Sequence, residues 1–156
     1  RSGRLWLATD IGVHRLIGNP GPGASWETFD TADGLGDNYA ICITQDLAGD
    51  IWVGTGTGVS RYDGHLWRHY TPEDGLPRGA MRSILADAEG QVWLGSDGYG
   101  VGLYDGETFR IVTAADGLAH NSLRSMMQDR EGDIWFGTDA GLVSRYDGVG
   151  LPDPDG

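Results

Sequence analysis

The sequence predicts an all-β protein, a β-propeller in which four-stranded blades form an open arc. Three observations predict this fold class. Glycine makes up 27 of the 156 residues, far above an ordinary share of about 7%, and it lacks the every-third-residue period of collagen. Six tryptophans and six tyrosines argue against disorder, because disordered segments are poor in aromatic residues. The third observation is an internal repeat of 41 to 46 residues, the length of one propeller blade.

The composition allows one domain at most and excludes several classes of function. The chain has 11 basic residues, all arginine, and 23 acidic ones, which gives a net charge of −12. We expect no nucleic-acid binding, because phosphates require a basic stripe. Cys42 is the only cysteine, so no internal disulfide can form. The apolar runs are far shorter than the roughly 20 residues that span a bilayer, so we expect no membrane contact by this segment. With neither an initiator methionine nor a signal-peptide core at its start, the chain is expected to be part of a longer protein.

Three sequence markers recur with the same period. Tryptophans stand at 6, 52, 93 and 135, Asp-Gly-Leu at 33–35, 74–76 and 116–118, and Tyr-Asp-Gly at 62–64, 104–106 and 146–148. Between them runs the frame Asp-x-x-Gly-x-(Ile/Val)-Trp-x-Gly-(Thr/Ser), at 46–55, 87–96 and 129–138. The first copy is longer because residues 18–23, rich in glycine and proline, are inserted. We expect this insertion to be a surface loop.

Turn residues divide each repeat into four short strands, lettered a to d from the inside outward. In the repeat around Trp93, strand a is 81–85, strand b is 91–94, strand c ends at 104–106 and strand d is 108–112. The Asp-Gly pair after strand c predicts a tight hairpin with positive φ angles. The apolar spacing of three and four that a helical repeat would show is missing. We therefore predict antiparallel blades, with the recurring Trp and Tyr packed between neighbours.

The strand pattern along the chain reads bcd, abcd, abcd, abc, or about three and a half blades. It predicts an open arc of a larger propeller, or a piece that must associate to cover its end faces. The predicted boundaries are a partial first blade at 1–35, complete blades at 36–76 and 77–118, a partial fourth blade at 119–148 and a tail at 149–156. Prolines in the tail are not expected to extend a sheet.

With the frame written out, the sequence resembles the two-component regulator propeller repeat family. The resemblance is carried by residues 74–77, 82–84, 87, 90, 92–95 and 104–106 in one copy, and by 121, 124–125, 129–138 and 144–148 in the next. It implies a fragment of a seven-bladed propeller from the periplasmic sensor region of a hybrid histidine kinase or a diguanylate cyclase. It therefore also implies a periplasmic or extracellular location.

Motifs that could carry catalysis or bind a metal have simpler structural interpretations. Each Asp-x-x-Gly turn offers one or two carboxylates, whereas calcium requires six to eight converging oxygens. We interpret the aspartate as a cap of its own turn, with the glycine left-handed. The four histidines lack the spacing of zinc ligands, and Ser83 and Ser125 lie in inner strands without a nucleophile elbow. Cys42 is interpreted as a buried apolar side chain. We predict no catalytic residue, no metal and no cofactor.

Polar residues that differ between blades are the candidates for function, since shared residues build the blade. In a propeller the d-to-a and b-to-c loops open on one face near the axis. The candidate ligand-binding residues there are Asn38, Tyr39, Arg78, Arg82, Asp97, Tyr99, His120, Asn121, Arg124 and Asp139. Arginine, aromatic and carboxylate side chains suit a small polar ligand such as an oligosaccharide; the alternative is a solvated loop surface.

The leading functional hypothesis is an extracytoplasmic, ligand-sensing propeller segment of a bacterial signal-transduction protein, without catalytic activity of its own. Its expected partners are a small polar ligand and either further propeller blades or a second copy. Two alternatives stay open at this point. One is a propeller lyase or glycan-acting enzyme similar to virginiamycin B lyase, and the other is a protein-interaction scaffold.

Overall fold

The computed structural model describes residues 4–149, and these form fourteen β-strands. The strands are β1 (Trp6–Thr9), β2 (Gly12–Ile17), β3 (Ser25–Phe29), β4 (Ala40–Gln45), β5 (Ile51–Thr55), β6 (Val59–Tyr62), β7 (Trp67–Tyr70), β8 (Met81–Ala86), β9 (Val92–Ser96), β10 (Val101–Tyr104), β11 (Phe109–Val112), β12 (Leu123–Gln128), β13 (Ile134–Thr138) and β14 (Val143–Tyr146). The predicted tail at 149–156, apart from Val149, and the first three residues of the predicted first blade lie outside the described residues.

The strands form four antiparallel sheets whose order follows the chain. The sheets are β1-β2-β3, β4-β5-β6-β7, β8-β9-β10-β11 and β12-β13-β14. Strands β4, β8 and β12 contact one another in series, so they are the inner strands of successive sheets. The fold is the predicted arc of propeller blades, with three, four, four and three strands. The insertion at 18–23 lies in the exposed connection from β2 to β3, as expected.

Aromatic side chains fill the spaces between adjacent sheets. The tryptophans of β5 and β9 each pack on the tyrosine that ends the third strand of the next sheet. Trp52 and Tyr104 have ring centroids 5.2 Å apart, and Trp93 and Tyr146 show the same separation. Trp52 is fully buried and Trp93 is 2% exposed. The predicted packing of Trp and Tyr between blades is therefore confirmed.

The aspartate of the Asp-x-x-Gly turn accepts hydrogen bonds both from the turn backbone and from the tryptophan of the strand that follows. Asp87 Oδ1 accepts from the amides of Glu89 and Gln91 at 3.0 and 2.8 Å, while Oδ2 accepts from Trp93 Nε1 at 2.7 Å. Gly90 is left-handed, with φ of 88°. The predicted capping role of the aspartate is confirmed, and the bond to the indole adds a second role. The same indole bond recurs at Asp46 and Asp129, at 2.8 and 2.7 Å.

The hairpin between the third and fourth strands differs from its prediction. Only the glycine of Tyr-Asp-Gly has a positive φ, 99° at Gly64. Asp63 keeps ordinary backbone angles because its Oδ1 accepts from the amides of His65 and Leu66, both at 2.8 Å. Tyr62 pairs with Trp67, so four residues form the loop. The side chain, in place of a second left-handed residue, closes the turn.

The aspartate of each Asp-Gly-Leu marker is the last residue of a single 3₁₀ turn, which connects one sheet to the next. These turns span Thr31–Asp33, Pro72–Asp74 and Ala114–Asp116. Each turn has a capping box and ends in a left-handed glycine. The leucine that follows is buried, which anchors the connection in the core.

The two ends of the arc expose surfaces that are covered between the inner sheets. On the first sheet Leu5 and Leu7 are 48% and 42% exposed, whereas their counterparts Ile51 and Val53 are buried. On the last sheet Val143 is 62% exposed, whereas Val101 is fully buried. Within the described residues, no helix is long and apolar enough to cross a membrane.

Candidate functional site

Four of the ten candidate residues meet in one hydrogen-bonded cluster on the face where the b-to-c loops open. Arg82 and Asp97 come from the third sheet, and Arg124 and Asp139 from the fourth. Ser122, which the sequence did not indicate, lies between the two pairs. We call Arg82, Asp97, Ser122, Arg124 and Asp139 the rim cluster.

The rim cluster joins two sheets through one buried hydroxyl. Arg82 Nη2 donates to Asp97 Oδ2 at 2.6 Å, and Arg124 Nε donates to Asp139 Oδ1. Ser122 Oγ lies 3.0 Å from Asp97 Oδ1 and 2.9 Å from Asp139 Oδ2. A hydroxyl has a single proton, so it can bond only one carboxylate at a time. Ser122 is 6% exposed, whereas both arginines reach solvent.

β-bulges place the two arginines at the rim. The pairing of β8 with β9 shifts by one residue between Met81 and Ser83, which makes Arg82 the extra residue. The same shift between Leu123 and Ser125 makes Arg124 the extra residue of β12. A bulge bends its strand and re-aims the side chain that it carries. The first complete sheet has the same bulge but no ion pair, because Ile41 and Gly56 stand at these positions.

The electrostatics of the rim cluster keep both carboxylates charged. The hydrogen bond from Arg82, followed by that from Ser122, holds the pKa of Asp97 below its usual range. When Ser122 donates to Asp139 instead, that hydrogen bond, followed by the one from Arg124, lowers the pKa of Asp139. Asp97 in turn raises the pKa of Arg82. The two ion pairs leave the cluster without net charge, and ionised carboxylates with lowered pKa values are poor bases for activating the Ser122 hydroxyl.

Asn38 and Asn121 use their side-chain oxygens to build the connection between sheets. Asn38 Oδ1 accepts from the amide of Thr31 at 2.8 Å, and Asn121 Oδ1 accepts from the amide of Ala114 at 2.6 Å. Each donor is the first residue of a 3₁₀ turn.

The remaining connection explains why this position varies. Pro72 begins the second 3₁₀ turn and has no amide hydrogen, and Gly79 replaces the asparagine there. An acceptor is thus present wherever there is a donor. The difference between asparagine and glycine at this position is therefore explained by the hydrogen bonding of the turn.

The other four candidates lie around the cluster. Tyr39 and Tyr99 are 58% and 53% exposed. Tyr99 and Arg78 line an open groove of about 540 Å³. His120 Nδ1 accepts from the amide of Ser122 at 3.1 Å, which fixes the loop that carries the hydroxyl. The described part of the chain has no group of three or more His, Cys, Asp or Glu side chains placed to hold a metal ion.

Comparisons with known proteins agree on one type of repeat. The sequence model described as "Two component regulator propeller" matches residues 75–98 and 117–140. A protein named histidine kinase P4, from Formosa agariphila, is 41% identical over 51 residues, which cover 31% of this chain and 4% of that protein.

Two solved structures share the fold. The extracellular domain of the hybrid two component system BT3049 from B. thetaiotaomicron aligns with a TM-score of 0.81 and 24% identity, over 94% of this chain and 20% of that one. The extracellular domain of BT4673 from the same organism, described as a one component system, aligns with a TM-score of 0.69 and 18% identity, over 93% of this chain and 22% of that one. The chain therefore spans about a fifth of the length of these structures.

Proposed function

Because two segments of this chain match the two-component regulator propeller repeat, we propose that the chain belongs to that repeat family and is a ligand-sensing segment of a bacterial signal-transduction protein. The segment lies outside the cytoplasm and has no catalytic activity of its own. A histidine kinase or diguanylate cyclase module elsewhere in the parent protein would supply the output. The shared repeat with a histidine kinase and the fold shared with two extracellular domains support this assignment.

The rim cluster is the observation that carries the ligand-binding part of the proposal. Its polar groups come from two sheets and are linked through Ser122. A ligand that replaces one of these hydrogen bonds would alter the contact between the sheets. Such a coupling allows binding to change the relative position of two blades.

The chemistry of the rim favours a neutral polar ligand such as an oligosaccharide. Each guanidinium carries five N–H donors in a fixed fork, and its bond to one carboxylate leaves others for hydroxyl groups. The exposed ring of Tyr39 offers an apolar face against which a sugar can pack. The paired charges favour uncharged ligands, because an anion would have to compete with Asp97 and Asp139 for the arginines.

The exposed end faces support a second part of the proposal, concerning partners. Leu5 and Leu7 at one end and Val143 at the other occupy positions that neighbouring blades bury elsewhere in the arc. Further propeller blades, or the blades of a second copy, would cover them.

The test is a thermal-shift screen of the purified 156-residue chain with maltotriose, cellotriose, xylotriose and mannotriose. Binding to the folded state raises its stability by about 2.7 kcal/mol at a ligand concentration of 100 Kd. We expect at least one of these sugars to raise Tm. The double variant Arg124→Gln, Asp139→Asn should abolish the shift, and it leaves neither charge unpaired.

A matched control lies at the opposite end of the sheets. Glu107→Gln changes an exposed carboxylate in the hairpin between β10 and β11 and should retain the full shift. If no sugar raises Tm of the folded chain, or if the rim variant and the control respond equally, the proposed ligand site is wrong.

A further inference from the structure

We infer that the outer edge of β14 is a docking site for an extended segment of another polypeptide, which adds a strand to the last sheet. The segment would carry an aromatic residue, followed three positions later by an aromatic or aliphatic one. We call the space along β14 that is bounded by Trp93, Val112 and Tyr146 the outer slot.

The two complete sheets show what fills the equivalent space. In the second sheet Trp67 of β7 lies 5.0 Å from Tyr62 and 5.7 Å from Phe29 of the sheet before it, between ring centroids. In the third sheet Phe109 of β11 takes this place, 4.7 Å from Tyr104 and 5.1 Å from Tyr70.

The glycine that ends the 3₁₀ turn between two sheets also borders the space that this aromatic side chain fills. A Cβ on Gly34 would lie 3.3 Å from Cβ of Trp67, and one on Gly75 would lie 3.4 Å from Cβ of Phe109. A large fourth-strand side chain is thus enclosed by three parts that recur in both complete sheets: the tyrosine of its own sheet, the last residue of the preceding fourth strand, and this glycine.

In the last sheet two of these three walls border an open cavity. Tyr146 takes the place of Tyr62 and Tyr104, and Val112 takes that of Phe29 and Tyr70. The cavity between them has a volume of about 200 Å³, and it is also lined by Trp93, Arg110, Ile111, Asp116 and Val149. A cavity of roughly 150 Å³ is already large enough for a benzene molecule, so an aromatic side chain fits.

The backbone beside the cavity indicates a peptide strand. Asp105 N donates to Thr108 O across the hairpin of the third sheet, at 3.3 Å. In antiparallel strands every second residue pair is joined by backbone hydrogen bonds. Counting back from Asp105 by twos, the N–H and C=O groups of Leu103 and Val101 therefore face β11. The counterparts in β14 are Val143 and Arg145, whose outward N–H and C=O groups have no strand beside them within residues 4–149. A peptide can satisfy this row of groups and place a side chain in the cavity together.

The chain's own next residues are poorly suited to this role. Counting from Tyr-Asp-Gly places Leu151 at the position of Phe109, and Pro152 and Pro154 at the positions of Arg110 and Val112. The amides at those two positions face the third strand, and proline has no hydrogen to donate. A segment of another polypeptide with free amides there makes the bonds that these prolines cannot make.

The test uses a labelled peptide with the sequence of residues 105–113, titrated with the full 156-residue chain and followed by fluorescence anisotropy. We expect saturable binding. Replacing the phenylalanine of the peptide by serine should weaken binding about tenfold or more, because it removes a buried aromatic side chain. Val143→Pro in the protein removes one outward donor at an exposed edge position, which proline tolerates, and should weaken binding of the unchanged peptide.

A covalent version keeps the inference testable without a free peptide. In this variant residues 149–154 carry the sequence of residues 107–112, and its control has serine in place of the grafted phenylalanine. We expect the phenylalanine graft to raise Tm above that of the serine graft. Equal Tm values, or peptide binding that does not depend on phenylalanine, would overturn the inference. Binding only to a chain shortened to Gly148 would also overturn it, since residues 149–156 would then occupy the outer slot.

Discussion

Removing the Asp87 carboxylate should destabilise the fold more than removing Asp129, the aspartate of the last repeated turn. Asp87 is 3% exposed and bonds an indole that is 2% exposed. In Asp87→Ala the Trp93 N–H would be left in the core without an acceptor, which costs about 1–3 kcal/mol. Two turn amides lose their acceptor as well, at about 0.5 kcal/mol each once water replaces it. The expected loss is about 3 kcal/mol, a large part of an ordinary stability of 5–15 kcal/mol.

The assay is equilibrium urea unfolding followed by far-ultraviolet circular dichroism. A loss of about 3 kcal/mol corresponds to a drop in Tm of roughly 6–12 °C for a chain of this size. The matched control is Asp129→Ala, which removes the same hydrogen bonds at the end of the arc. Trp135 is only partly buried there, so water can reach its N–H and the loss should be smaller.

A double-mutant cycle isolates the bond to the indole. Trp93→Phe removes the N–H but keeps the aromatic ring. In that background Asp87→Ala no longer leaves an unsatisfied donor, so its effect should shrink by about 1–2 kcal/mol. Additive effects, or equal losses for Asp87→Ala and Asp129→Ala, would refute the argument that the buried indole bond holds the turn.

Three further predictions concern packing, ionisation and one connection. Gly54→Ala should destabilise the fold in urea titrations by about 1–3 kcal/mol, because its Cβ would lie 2.9 Å from backbone and side-chain atoms of the next sheet, whereas Gly21→Ala, with nothing within 4 Å, should be neutral. Burial raises the pKa of the Cys42 thiol to about 12 from an ordinary value of 9.0. Because the thiol of the unfolded chain loses its proton at lower pH, the stability of the fold should fall between pH 9.0 and about 12. Cys42→Ala should flatten that part of the pH profile of stability. Asn121→Ala should lower stability by about 1 kcal/mol without affecting sugar binding, since its oxygen bonds the amide of Ala114; loss of binding with unchanged stability would contradict the assigned role.

Part of the negative charge of the chain is explained by turn construction. Asp46, Asp87 and Asp129 cap the Asp-x-x-Gly turns, and Asp63 and Asp105 close hairpins. The net charge of −12 therefore says little about the ligand. The rim cluster carries no net charge although the chain is strongly acidic. The proposed preference for an uncharged ligand depends on this local neutrality.

The candidate site was predictable only in part. The repeat placed Arg82, Asp97, Arg124 and Asp139 on one face, because loop positions in a propeller follow from strand order. It could not separate them from Asn38 and Asn121, which vary between blades in the same way. The sequence did carry a local signal for the role of the asparagines. In the one repeat where a proline, Pro72, replaces the donor of the turn amide, the asparagine position is a glycine, Gly79.

The sequence by itself determined the strand content, the number of sheets and their order, because turn residues and the alternation of side chains act over a few neighbouring residues. It also determined the pairing of Trp with Tyr, since every repeat must bury the same surfaces. Only the tertiary structure decided which polar groups meet. Ser122 lies 25 residues from Asp97 and 17 from Asp139, and the bulges that aim Arg82 and Arg124 depend on how two strands pair. The outer slot is likewise defined by three sheet elements at once, and no local pattern contains the distance between them.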